Sequence, residues 1–65
     1  MLIVNGKEMK FEKDITVNEL LQKLDLNPDK VVVEVNLDIV SKDRYDEHIL
    51  SDSDSVEIVA FVGGG

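Results

Sequence analysis

The stretch Val56-Glu57-Ile58-Val59-Ala60-Phe61-Val62-Gly63-Gly64-Gly65, "VEIVAFVGGG", decides how the rest is read. Six of the seven residues ahead of the glycines are apolar, which predicts a strand in the middle of a sheet. Alternation places Val56, Ile58, Ala60 and Val62 on one face and Glu57, Val59 and Phe61 on the other. Three residues without side chains then follow. Either they are idle fraying, or the carboxylate of Gly65 is the working group.

Working outward, Leu2-Ile3-Val4, Asn5-Gly6 and Lys7 to Glu12 form a hairpin pattern, because Asn-Gly readily takes the positive φ of a two-residue turn. Met9 and Phe11 alternate with Lys10 and Glu12. Thr16-Val17-Asn18-Glu19 has the spacing of a capping box. Val17, Leu20, Leu21 and Leu24 follow as one apolar helical stripe, closed by Asn27-Pro28. Val31 to Val35 is β-branched and predicts a strand, Asn36-Leu37-Asp38 a turn, and Ile39-Val40 a short edge strand. Lys42 to Leu50 is too irregular for a strand, and predicts one helical turn that drops Tyr45 and Leu50 onto the core. Ser51 to Ser55 reads as a turn.

Hairpin, helix, strand, irregular stretch and strand are most economically packed as a mixed sheet over one helix. The predicted class is α+β, a ubiquitin-like β-grasp of four to five strands packed on one helix. Its first and last strands lie parallel at the centre. The domain is expected over residues 1–62, with 63–65 as a flexible glycine tail. Leu2 and Val4 would face the helix, leaving Ile3 on the open face. Ile3, Val59 and Phe61 are then expected to form an exposed apolar patch near the tail, a docking surface with Glu57 at its rim.

The charge is −7, from 14 acidic and 7 basic side chains. That balance argues against nucleic acid as a partner and for an electropositive partner surface. There is no cysteine, so no disulfide or thiol chemistry, which is compatible with a cytoplasmic setting. No basic leader or membrane-spanning run is expected. His48 is the only histidine and reads as a structural residue. Asp52-Ser53-Asp54-Ser55 begins like a calcium loop, but Val56 and Glu57 break the pattern, so no metal site is expected. No catalytic constellation is evident. A glycine tail extended from a rigid strand would reach roughly 10 Å at about 3.3–3.6 Å per residue. That length delivers a carboxylate into a narrow channel that excludes side chains.

Taken together, several segments carry a family resemblance. They are the Asn5-Gly6 turn, Val17-Asn18-Glu19-Leu20-Leu21, Val33-Glu34-Val35-Asn36 with Ile39-Val40, Arg44-Tyr45-Asp46-Glu47-His48-Ile49-Leu50, Asp52-Ser53-Asp54, and Val56 to Gly65. In this order the chain resembles the ThiS family of sulfur carriers in thiamine biosynthesis, over essentially its whole length. Ser53 departs from the glycine common in that turn. The resemblance implies a carrier that performs no catalysis and binds no cofactor. It implies that a ThiF-like adenylyltransferase, using ATP and magnesium, converts the Gly65 carboxylate to an acyl-adenylate. A cysteine desulfurase or another persulfide donor then supplies sulfur to make a thiocarboxylate, which a ThiG-like thiazole synthase consumes. Gly63 and Gly64 would lie in the partner's channel. Rival readings are a molybdopterin synthase small subunit, a ubiquitin-like modifier, and a non-covalent interaction domain with an idle tail.

Overall fold

The computed structural model describes residues 1–61; the expected Gly63–Gly65 tail and the expected strand end at Val62 lie outside the described residues. Seven strands and one α-helix follow in the order β1 (Leu2–Val4), β2 (Lys7–Met9), β3 (Ile15–Thr16), α1 (Val17–Lys23), β4 (Val31–Val35), β5 (Asp38–Val40), β6 (Ile49–Leu50) and β7 (Ser55–Ala60). Short 3-10 turns cover Pro28–Lys30 and Lys42–Arg44. Five strands form one sheet in the order β2-β1-β7-β4-β5, with β1 and β7 parallel and the other pairs antiparallel. This is the β-grasp arrangement, with the apolar last strand in the middle. Strands β3 and β6 make a separate two-stranded pair.

The sheet is placed by its first turn. Asn5 and Gly6 take φ values of 50 and 81, as a tight hairpin turn requires. Beyond the turn, Asn5 reaches β7 twice. Its N–H donates to the Val56 carbonyl at 2.8 Å, and its side-chain Oδ1 accepts the Ile58 N–H at 2.7 Å. One asparagine thus shapes the hairpin and ties it to the central strand.

The helix begins where the capping box predicts. Thr16 Oγ1 accepts the Glu19 N–H at 3.1 Å, and the Glu19 carboxylate accepts the Thr16 N–H at 2.8 Å. The next free donors are met from the far side of the chain. The Val17 N–H donates to the His48 carbonyl at 3.0 Å, and the Asn18 N–H to the Tyr45 carbonyl at 2.9 Å. The helix ends at Lys23, before the proline that was expected to close it. Asp25 turns left-handed at φ 58, and the Leu26 and Asp25 N–H groups donate back to the Leu21 and Gln22 carbonyls. That is a Schellman stop, made here without glycine.

Other boundaries also differ from expectation. The second hairpin arm is strand only to Met9, and Phe11 packs against the core from outside the sheet. Lys42 to Leu50 is a 3-10 turn followed by β6, not a single helical turn, although Tyr45 and Leu50 are both buried as expected. The loop of β4–β5 has Asn36 at φ 51 and Leu37 at φ 74. The left-handed region costs a residue such as leucine about 1–2 kcal/mol.

The core comprises Leu2, Val4, Ile15, Val17, Leu20, Leu21, Val31, Val33, Val35, Val40, Tyr45, Leu50, Val56 and Ile58, and no polar side chain is buried with it among the described residues. Burial raises the Tyr45 phenol above its ordinary value, because the charged form would be poorly solvated. Its hydroxyl makes only a long contact, 3.5 Å, to the Val31 carbonyl. Among the described residues no helix is long and apolar enough to cross a membrane.

Three predictions follow from these ties. Asn5→Gly keeps the turn but strands the part-buried Ile58 N–H, so urea denaturation should show a loss of about 1–3 kcal/mol; Asn5→Ala should lose more, since alanine resists the positive φ. Thr16→Ala should cost about 1 kcal/mol through the lost cap. The hydrogen bond from the Thr16 N–H is the main cause holding the Glu19 carboxyl below its ordinary value of 4.5. A lowered folded-state pKa contributes stability above the unfolded value and loses it as pH falls through the folded one. The urea midpoint of the wild type should therefore converge on that of Glu19→Gln as the solution is acidified below 4.5.

Candidate functional site

Strand β7 is flanked by β1 at Ser55 and Val56 and by β4 from Val56 to Ala60, so its last residues are held by β4. The strand ends at Ala60, and the Phe61 N–H still donates to the Lys30 carbonyl at 3.0 Å. That bond holds the chain in extended register one residue beyond the strand. Ala60 shares the helix-facing side with Ile58, yet it is exposed, so the buried set of β7 stops at Ile58.

The open face has a defined layout. Val59 stands opposite Val32 of β4, and Glu57 opposite Glu34. Val59, Phe61 and Val32 are 58%, 45% and 39% exposed, which makes a short apolar strip at the tail end of the sheet. Glu34 in turn faces Ile39 of β5, which is also exposed. Ile39 is the diagonal neighbour of Val32, a spacing of about 7–8 Å.

The expected patch of Ile3, Val59 and Phe61 is therefore only partly assembled. Ile3 does lie on the open face, but its row partners are Glu8 of β2 and Ser55 of β7. Ser55 and Val59 are four residues apart, or about 13 Å along a strand. Ile3 is half-buried and belongs to the other end of the sheet. Val32 takes its place beside Val59. Its position was missed because the sequence gives Val32 a face but not a row, and only the antiparallel register of β4 with β7 shows which residue meets Val59.

Electrostatically the face is acidic. Glu57 and Glu34 are direct cross-strand neighbours, an arrangement that repels in the free protein. Neither makes an ion pair among the described residues, where the only pairs are the N-terminal amine with Asp52 at 3.4 Å and Lys42 with Asp29. An apolar strip with adjacent like charges is suited to a partner that covers the first and neutralises the second.

The remaining sequence candidates have structural work. His48 contributes its backbone carbonyl to the helix start. Asp54 accepts the Asn36 side-chain amide on one oxygen and the Ser51 N–H on the other, both at 2.9 Å. Its carboxylate organises the turn before β7. Among the described residues no group of three or more His, Cys, Asp or Glu is placed to hold a metal ion.

Comparison with known proteins adds four findings. The model of the ThiS family matches residues 2–65. The sulfur carrier protein ThiS of Bacillus subtilis (strain 168) is 48% identical over 66 residues, covering 100% of both chains. A thiazole synthase of Paramagnetospirillum magneticum is 47% identical over 64 residues, which is 98% of this chain but 20% of that protein. The chain thus spans about a fifth of that relative's length. A crystal structure of a thiamine biosynthesis protein (ThiS) from Geobacter metallireducens superposes with a TM-score of 0.83 at 34% identity, covering 98% of this chain and 97% of that one.

Since the apolar strip is exposed, changing it should not disturb folding. Val59→Asp and Phe61→Asp are expected to leave the thermal unfolding midpoint within about 2 °C of wild type, as surface substitutions do. A circular dichroism melt of each variant checks this.

Proposed function

The chain belongs to the ThiS family, and from that premise we propose that it is a sulfur carrier for thiazole formation in thiamine biosynthesis, not an enzyme. The observation that carries this reading is the full-length match to a named sulfur carrier. The geometry supports it: the last described residues, through Phe61, continue an ordered strand of the main sheet.

The reactive group in this reading is the Gly65 carboxylate. A carboxylate resists acyl transfer because its charge repels nucleophiles and oxide is a poor leaving group. A ThiF-like adenylyltransferase supplies a better one: the carboxylate attacks the α-phosphorus of ATP, pyrophosphate leaves, and an acyl-adenylate forms. Persulfide sulfur, from a cysteine desulfurase or another donor, attacks the acyl carbon and expels AMP. A thiol then cleaves the resulting acyl disulfide, taking the outer sulfur into a new disulfide and leaving the thiocarboxylate. Thiazole synthase consumes that sulfur. ATP and magnesium are used by the partner; the carrier holds no cofactor of its own. The absence of cysteine in the carrier suits this role, since no thiol of its own competes for the acyl group. The setting is the cytoplasm.

Gly63 and Gly64 pass through the partner's channel, where any Cβ would clash. The body docks by Val59, Phe61 and Val32, with Glu57 and Glu34 meeting cations at the rim. Ile3 lies about 13 Å from Val59 along the sheet and is at most a peripheral contact.

Intact mass spectrometry tests the chemistry. After incubation with the adenylyltransferase, ATP and a persulfide source, one oxygen should be replaced by sulfur at the terminus. Appending one alanine after Gly65 should abolish loading and leave thermal unfolding unchanged; normal loading of that variant would overturn the channel argument. Val59→Asp or Phe61→Asp should raise the KM for the carrier about tenfold or more, the scale of an anchor residue, with kcat little changed. Reconstituting thiazole formation alongside molybdopterin formation separates this reading from its nearest rival.

A further inference from the structure

Leu37 and Ile39 are the two most exposed apolar side chains among the described residues, at 88% and 71%. Both belong to the β4–β5 hairpin: Ile39 lies on the open face in the row of Glu34, and Leu37 stands in the turn just before β5. Strand β5 is the last in its sheet and pairs with β4 alone. Its outer edge therefore carries backbone donors and acceptors with no strand beside them among the described residues.

The two edges of the sheet are not alike. At the opposite edge β2 presents Lys7 and Glu8, with Lys10 immediately after, the charged guard that keeps an edge from recruiting another strand. Strand β5 has a single charge, Asp38, which alternation turns to the helix side opposite Val35. Its open-face residue is Ile39, with Leu37 in the turn beside it. Leu37 is also held at φ 74, where glycine would sit without strain. An unguarded edge, two bare apolar side chains and a strained leucine coincide within three residues.

We propose that the β5 edge receives an extended segment of thiazole synthase, which adds beside Asp38–Val40 as a sixth strand and packs an apolar side chain against Ile39 and Leu37. This rests on the sulfur-carrier reading above. A free edge selects an extended segment, because only a strand matches its backbone spacing. A second copy of the chain is the poorer occupant. A three-residue edge is far short of the roughly 800 Å² per partner that a stable interface buries, and both copies would bring a charge of −7. Thiazole synthase is the better one, because in the Paramagnetospirillum magneticum relative the matching sequence is part of a thiazole synthase polypeptide, which keeps the two bodies at high effective concentration. Ile39 shares a row with Glu34 and Glu57, so the edge lies about 10 Å across the sheet from Glu57, at about 4.8 Å per strand, and two residues before Val59 along β7. One partner can hold the edge and receive the tail.

Amide hydrogen exchange, followed by NMR with and without purified thiazole synthase, tests this. In the complex the Ile39 amide, the one of residues 38–40 that points outward, should exchange at least tenfold more slowly. Ile39→Lys should weaken the Kd about tenfold with its melting temperature little changed. Leu37→Gly should raise the melting temperature and weaken binding a few-fold, a combination that a merely structural role would not give. A complex in which β5 exchanges as in the free protein, or wild-type affinity in Ile39→Lys, overturns the edge proposal while leaving the carrier reading intact. Concentration-dependent protection of β5 without partner overturns it in favour of self-association. No complex at all overturns both.

Discussion

Strands β1 and β7 meet in parallel over only two register pairs, Ile3 with Ser55 and Val4 with Val56. Two parallel pairs are a slender contact for the centre of a sheet. Asn5 extends it by a backbone and a side-chain hydrogen bond, and the latter joins residues 53 apart in sequence. Without that connection the loop between the two strands would have nearly the whole chain's freedom to lose. With it, β7 is fixed between β1 and β4, and the core residues Val56 and Ile58 are held over the helix. The proposed docking residues Val59 and Glu57 lie on the strand so anchored, and the strands beside it take their places from it.

The helix illustrates how a small domain meets its obligations. Seven residues are too few for a helix to be stable alone. Its first donors are met by Thr16, His48 and Tyr45, two of them through backbone carbonyls of the irregular segment packed against it. That segment is a scaffold for the helix start. The apolar stripe of Val17, Leu20 and Leu21 can then be fully buried, because no donor at the helix start has been left dry to offset the gain.

The open face is organised on the opposite principle. A chain of 65 residues buries only about 60% of the surface its unfolded form exposes, so each apolar side chain left outside is a real loss of stabilisation. Val59, Phe61, Val32, Ile39 and Leu37 all remain exposed. Glu57 and Glu34 sit side by side across two strands when a lysine in either place would have been more favourable. Both features weaken the isolated domain, and both are reversed against a partner that is apolar at the centre and cationic at the rim.

Local pattern was enough for much of this molecule. The Asn5-Gly6 turn, the Thr16–Glu19 capping box and the alternation of the last strand each depend on residues within a few positions of one another, so sequence alone determined them, together with the helix-and-sheet class and which face each strand residue takes. The family resemblance likewise needed only residue order. Asp25 and Leu37 escaped such reading because positive φ in a residue other than glycine is imposed by the surrounding packing and not by propensity. Row position escaped it too: Ile3 lies on the open face as its alternation requires, but stands by Ser55 instead of Val59. Alternation has a period of two and repeats identically along a strand, so it gives the face but not the register. Register is set by hydrogen bonds between strands distant in sequence. The edge position of Ile39-Val40 was legible in the sequence, but tertiary structure alone decided that Val32 would stand beside Val59.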